Sequence, residues 1–224
     1  LENLIIEANP GGAPCNVLAM LSKLGKRTAF IGKVGKDQFG YMLKDVLEEA
    51  GIDSSCLVFD NEVHTTLAFV HNFANGERDF SFYREPGADM MLSAQEVNEE
   101  LIKASRVFHF GTLSLTDKWS REATIKALRI AKENNLLVTF DPNLRAPLWE
   151  SLDYAREQIR FGLAWCHVLK ISEEELEFVT GIKDIPKAVS ELRKEYSIPL
   201  ILVTMGKDGS EAYYKEFRVT KPAF

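Results

Sequence analysis

The 224-residue chain carries 27 Lys and Arg against 33 Asp and Glu, a formal net charge of −6, and is 46% hydrophobic. That suits one globular domain with a substantial core. It disfavours nucleic acid as the main partner, because neutralising phosphates takes a basic face that the sequence lacks. No run approaches the roughly 18–20 apolar residues of a membrane helix, and residues 1–10 lack the basic and apolar regions of a secretory signal. An anionic small ligand stays open, since backbone N–H groups and single Arg or Lys residues hold anions locally.

In chain order, Val17, Met20, Leu21 and Leu24 recur at helical spacing, so the first helix is predicted over 13–24, with Gly25 as its stop. A short strand follows at 28–33. A second helix is predicted over 37–50, capped by Asp37 and ended by Gly51. The period then changes. Residues 65–73 and 79–84 read as two strands of a hairpin, turned at Asn75-Gly76, of the kind a flap or lid would use. Alternation resumes after Pro86-Gly87. Helices are expected at 96–104, 120–133, 152–164, 172–180 and 185–196, and strands at 106–110, 136–140, 167–171 and 199–204. A closing β pair is expected at 210–214 and 217–220. This alternation predicts a layered α/β fold.

Four of the predicted strand ends carry polar residues or glycine: Gly111-Thr112, Asp141-Pro142-Asn143, Lys170, and Thr204-Met205-Gly206. Ligands of open parallel sheets collect at the carboxyl ends of strands, so a cleft is expected there.

Five segments carry chemistry, each beside a plainer account. Gly11-Gly12-Ala13-Pro14-Cys15-Asn16 opens a helix. The glycines allow a tight turn, and Asn16 offers an amide to ligand hydroxyls; an ordinary glycine turn is the competing account. The 32–40 segment reads as a strand-to-helix turn with a capped helix. Arg84, at the end of a protruding strand, has the fork geometry to grip oxygens, against a solvated surface Arg. Asp141-Pro142-Asn143-Leu144-Arg145 suggests a ligand or phosphate contact, against a self-satisfied turn. Val203 to Gly209 offers backbone and the Thr204 hydroxyl to a nucleotide, against a plain β-turn. It is not a P-loop, because the GxxxxGK[ST] spacing is absent.

The four histidines show no metal spacing, there is no GxSxG elbow, and no GxGxxG with a downstream acid marks a dinucleotide site. Cys15, Cys56 and Cys166 are widely separated, with no CxxC. They are expected to be buried thiols in a reducing cytoplasm.

The order and spacing of these segments resemble the PfkB (ribokinase-like) carbohydrate kinases along essentially the whole chain. Gly-Gly-Ala-Pro at 11–14, Arg-Glu-Pro-Gly-Ala-Asp-Met at 84–90, Phe-His-Phe-Gly-Thr-Leu-Ser-Leu at 108–115, and Asp-Pro-Asn-Leu-Arg at 141–145 with Pro147-Leu148-Trp149 resemble fructokinases in particular.

The resemblance implies a ribokinase-like three-layer αβα sandwich with a small β lid at about 65–84, and one kinase domain over 1–224, incomplete at both ends. It implies ATP-dependent phosphorylation of a primary sugar hydroxyl, fructose to fructose 6-phosphate. The alternatives are a 2-keto-3-deoxygluconate kinase or a non-catalytic sugar- or nucleotide-binding fragment. Gly11, Gly12, Asn16, Arg84 and Arg145 would meet the sugar or the transferring phosphoryl group. Lys170, Thr204, Gly206 and Gly209 would line the ATP site. Glu175 matches the acid of the family's Asn-x-x-Glu motif, tied indirectly to Mg2+, while Ser172 stands where the family has Asn. The family's Gly-Ala-Gly-Asp loop, whose Asp is the general base, does not occur before Phe224, so that base is expected beyond it. The strand that carries a sugar-binding Asp is expected before Leu1. The implied partners are a sugar and ATP, with neither nucleic acid nor membrane, and a homodimer through the lid is a further expectation.

Overall fold

Gly12 sets the first helix. Its φ of +129° is a backbone that side chains rarely adopt, and Pro14 follows in the first turn of α1 (Ala13–Lys23). The computed structural model describes residues 6–72 and 78–223. The chain divides into two compact units, Leu1–Asp89 and Met90–Phe224.

In the first unit, β1 (Thr28–Gly35), α2 (Gln38–Glu49) and β2 (Ile52–Asp60) form a β-α-β unit with parallel pairing from Thr28↔Ile52 to Gly35↔Asp60. Asp37 caps α2 as expected, accepting from Gly40 N–H at 2.8 Å. The second strand corrects the sequence reading, which has no element over 52–60. Its inward positions include Ser54 and Cys56 beside Ile52, so a polar Ser and a small Cys blur the alternation that marks a half-buried strand. Val34, Leu47, Ile52 and Leu57 form the core, with Leu18, Phe30, Leu43 and Phe59 packed on it.

Next, β3 (Leu67–Asn72) and β4 (Arg78–Tyr83) pair antiparallel, Leu67 opposite Tyr83. This is the expected hairpin; the predicted Asn75-Gly76 turn lies outside the described residues.

The second unit is a mixed six-stranded sheet in the order β10-β9-β8-β7-β6-β5. Strands β5 (Val107–Gly111), β6 (Leu137–Asp141), β7 (Val168–Ser172) and β8 (Leu200–Thr204) are parallel, and β9 (Ser210–Tyr214) and β10 (Phe217–Lys221) close it antiparallel. Phe110, Val138, Phe140, Leu169, Ile171, Ile201 and Val203 fill one face and are buried. Against this sheet α4 (Lys118–Glu133) packs on β5 and β6, and α6 (Glu173–Thr180) on β7 and β8; α5 (Leu152–Leu163) and α7 (Ile185–Tyr196) complete the helices.

The helix expected at 96–104 is shorter. A 3-10 turn at Ala94–Glu96 is followed by α3 (Glu99–Lys103), because Val97 is extended and Asn98 caps a fresh start. The parallel strands end in register, Gly111 opposite Asp141 and Ser172 opposite Thr204. Four polar loops therefore leave one edge of the sheet.

Candidate functional site

Gly11, Gly12 and Asn16 share one turn of the first unit. Asn16 N–H donates to Gly12 C=O at 3.0 Å, in the first helical turn, and the Asn16 side chain is exposed. Gly12 is required by its φ, whereas a Cβ at Gly11 would meet open space.

Arg84 is not the solvated arginine of the plainer reading. Its side chain is 5% exposed, and both Nε (2.8 Å) and Nη2 (2.7 Å) donate to Asp89 Oδ2. The Thr66 hydroxyl donates to the other Asp89 oxygen, and Gly87 lies so close that a Cβ would overlap the Thr66 hydroxyl. Burying a guanidinium requires such a partner, since an unpaired buried charge is strongly destabilising.

Arg84 lines an open cleft of about 710 Å³ that also involves Asp37, Phe39, His64, Tyr83 and Pro86. Asp37, which also lines it, is more than a cap. Burial pushes its carboxyl up, but N–H groups of Thr65 and Gly40 and the Thr65 hydroxyl outweigh that and hold it below the ordinary range. The Thr65 hydroxyl in turn accepts from Gly35 N–H at 3.0 Å. A Cβ on Gly40 would strike Gly35 C=O at 2.0 Å, so this junction needs glycine for close backbone approach.

In the second unit the carboxyl edge gathers Arg145, Lys170, Glu175 and Thr204. Lys170 sits two residues before the end of β7, and its Nζ reaches back to Asp141, 3.3 Å from Oδ1 and 3.2 Å from Oδ2. On the same side of the sheet, His109 Nδ1 lies 2.8 Å from the Thr139 hydroxyl. Burial pulls the His109 pKa down against the opposing pull of Asp141, which keeps the ring neutral at pH 7.

Glu175 closes a capping box at the start of α6. Its Oε2 accepts from Ser172 N–H at 2.9 Å, and the Ser172 hydroxyl accepts from Glu175 N–H at 3.2 Å. Its Oε1 accepts from Leu144 N–H at 2.6 Å, beside Arg145. Ser172, where the resemblance expects Asn, thus acts as the helix cap.

Thr204 ends β8 between Ser172 and Ser210. Gly206 and Gly209 have φ of +51° and +96°, and a Cβ on Gly209 would meet Lys221 C=O at 2.0 Å. The turn is thus held against the end of β10. Nearby, buried Glu211 accepts from Arg218 Nη2 (2.5 Å) and Nε (3.1 Å) and from the Tyr213 hydroxyl. The Arg218 bonds first, then Tyr213, hold its carboxyl below the usual range against burial.

Two residues, Thr112 at this edge and Asp89 beside Arg84 in the first unit, escape sequence reasoning as site residues. Thr112, fully buried, donates from both N–H (3.2 Å) and hydroxyl (2.5 Å) to Pro142 C=O. Asp89 holds Arg84. The only trace of either in the sequence is its place beside a motif, Thr112 after a strand and Asp89 five residues past Arg84. Cys56 and Cys166 are buried and Cys15 is half-buried, all as free thiols; burial raises Cys15 to about 11 and Cys166 to about 12.

Comparison with known proteins follows the same lines. A family model described as "pfkB family carbohydrate kinase" matches residues 5–224. Fructokinase-1 of Zea mays is 46% identical over 215 residues, 96% of this chain and 67% of that protein. The fructokinase of Vibrio cholerae O395 in fructose-, ADP- and calcium-bound form superimposes with a TM-score of 0.85 at 30% identity, over 96% of this chain and 70% of that one. The fructokinase of Xylella fastidiosa with bound ATP gives 0.86 at 32% identity, over 96% and 66%. The chain spans about two thirds of the length of the curated relatives it matches. The α/β architecture is that of the ribokinase and fructokinase structures. With a family-model match over residues 5–224 and 46% identity to a curated relative over 96% of its length, the chain belongs to the pfkB family of carbohydrate kinases.

Proposed function

We propose that the complete protein transfers the γ-phosphoryl group of ATP to a primary hydroxyl of a sugar, with fructose as the substrate and fructose 6-phosphate as the product. The observation that carries this reading is the likeness to fructokinases across 96% of the chain.

In this reading Gly11, Gly12 and the exposed Asn16 amide meet sugar hydroxyls. Arg84 and Arg145 face the sugar or the transferring group. Thr204, Gly206 and Gly209, with Lys170 nearby, take the nucleotide. The sugar oxygen attacks the γ-phosphorus, the bond to the β–γ bridging oxygen breaks, and ADP leaves. The hydroxyl proton passes to a general base that none of these residues supplies. The arginines stabilise charge that spreads over phosphoryl oxygens, and the 67–83 hairpin serves to exclude water from the sugar.

Magnesium belongs to this chemistry as the neutraliser of phosphate charge. Asp141 and Glu175 are carboxylates at the sheet's carboxyl edge. Because Glu175 already accepts from two amides, it suits contact with such an ion through water, as hydrated Mg2+ allows. A homodimer through the hairpin belongs to the same reading, consistent with the exposure of Phe69, Val70 and Tyr83. So does a reducing compartment, given three free thiols.

The test is sugar-dependent ADP production by the complete gene product with fructose and, separately, 2-keto-3-deoxygluconate. Turnover of fructose at the higher kcat/KM is the expected result. Preference for the keto acid overturns the substrate. Binding of sugar and ATP with no ADP released overturns the activity.

A further inference from the structure

The segment Asp141–Arg145 is fastened from both sides around its most constrained residue. Asn143 has φ +46°, a left-handed conformation uncommon for a residue with a side chain, which persists where the surroundings over-determine it. On one side of Asn143, Pro142 C=O accepts both the N–H and the hydroxyl of fully buried Thr112. On the other side, Leu144 N–H donates to Glu175 Oε1 at 2.6 Å. Arg145 follows immediately, and its Nη1 folds back to donate to Leu144 C=O at 3.1 Å.

The partners are 30 and 31 residues away in sequence, on the loop after β5 and on the first turn of α6. A capping box needs only one Glu175 oxygen, for Ser172 N–H. The second oxygen forms a charge-assisted bond to another loop, and such bonds are the short, strong kind.

We propose that Thr112 and Glu175 are positioning residues that lock the 141–145 loop in one conformation and so fix where Arg145 stands. The kinetic consequence rests on the reading of Arg145 as a substrate-facing arginine; the lock itself does not. In this account Glu175 influences phosphoryl transfer by holding backbone, and a link to the metal is secondary.

The experiment uses the complete protein and the variants Glu175→Gln, Thr112→Val, Arg145→Ala and the Arg145→Ala/Glu175→Gln double. Amide hydrogen exchange is followed at Leu144 and Arg145, with α5 amides as the internal control. Kinetics are followed with fructose, ATP and varied Mg2+.

Glu175→Gln is expected to speed exchange at Leu144 and Arg145 and leave α5 protected. It should lower kcat/KM for the sugar by roughly 10- to 100-fold, the scale of a misplaced reacting partner, with the Mg2+ concentration for half-maximal rate moving far less than that. The double variant should be no worse than Arg145→Ala alone, because coupled residues are not additive. Thr112→Val keeps the N–H bond and should show the same pattern, smaller.

Unchanged exchange at Leu144 in Glu175→Gln overturns the proposal, as does an additive double variant. A shifted Mg2+ requirement without faster exchange overturns it too. If Glu175→Gln loses protection throughout, Thr112→Val decides by the same criteria. If the wild type turns over no sugar, the functional reading falls, and the exchange measurements still decide the lock.

Discussion

Asp37 concentrates the first unit's local order in one side chain. Its Oδ1 accepts from Gly40 N–H and the Thr65 hydroxyl, and its Oδ2 from Thr65 N–H, each at 2.8 Å. His64 Nδ1 lies 3.6 Å away but is 92% exposed, so that ion pair contributes little. The amides, with the Thr65 hydroxyl, are what hold the carboxyl below its ordinary value despite burial. An unfolded Asp titrates near about pH 3.9. A group whose folded pKa is lower stabilises the fold above the unfolded value and loses that contribution as the pH falls through the folded value. Asp37→Asn keeps the shape and replaces one acceptor with a donor. It is expected to cost about 1–2 kcal/mol at pH 7, the low end for hydrogen bonds to a charged group that is partly exposed. Urea titrations at pH 7 and pH 3 check this. The gap between wild type and variant should shrink at the lower pH, and an equal gap at both would assign the effect to shape alone.

At the scale of elements, helix ends are well specified by local chemistry. α7 begins at Asp184, whose carboxylate accepts from Lys187 N–H at 3.0 Å, with Pro186 in the first turn, and it ends at Ser197 with φ +56°. Asp184→Ala is expected to destabilise by about 1 kcal/mol, the usual cost of losing an N-cap, read as a lower urea midpoint; Asp184→Asn should restore most of it. Caps of this kind begin α2, α4, α5, α6 and α7, which are legible in the sequence to within two residues, as is α1 from its apolar spacing. β2 is not legible, because Ser54 and Cys56 occupy inward positions and its partner β1 is reached only across α2. The site divides in the same way. The candidate residues Arg145, Lys170 and Thr204 can be picked out from their places in or just after the last residues of apolar strands, which is a local pattern. The hydrogen bond from Leu144 N–H to Glu175 and the two hydrogen bonds from Thr112 to Pro142 C=O join residues about 30 apart, and no local pattern announces them. Arg84 shows the same limit, because its ion pair with Asp89 turns what reads as a surface arginine into a buried one.

Over the whole second unit, the core and the polar edge are parts of the same strands, so a packing change is felt at the site. Gly162 of α5 shows the coupling most directly. A Cβ there would stand 2.4 Å from Phe140 Cζ and 2.6 Å from Cε1. Phe140 is 1% exposed and stacks on Phe110 with ring centroids 4.6 Å apart, so the ring has little room to yield in an interior packed like a crystal. Two effects of Gly162→Ala oppose each other. Alanine in a helix interior gains up to about 1 kcal/mol over glycine, while overpacking a filled core costs about 1–3 kcal/mol. With Phe140 pinned from behind, overpacking should win, for a net loss of about 1–2 kcal/mol. Phe140 immediately precedes Asp141, which pairs with Lys170 and leads into the Arg145 loop. The variant should therefore also lose kcat/KM for the sugar well below its unfolding temperature, because displacing the ring moves the end of β6. Urea unfolding together with steady-state kinetics at 25 °C tests both halves. If Gly162→Ala raises the midpoint and leaves kcat/KM intact, helix propensity has decided the outcome and the ring is freer than its contacts imply. A lowered midpoint with intact kinetics would mean that strain in this core stops short of the carboxyl edge.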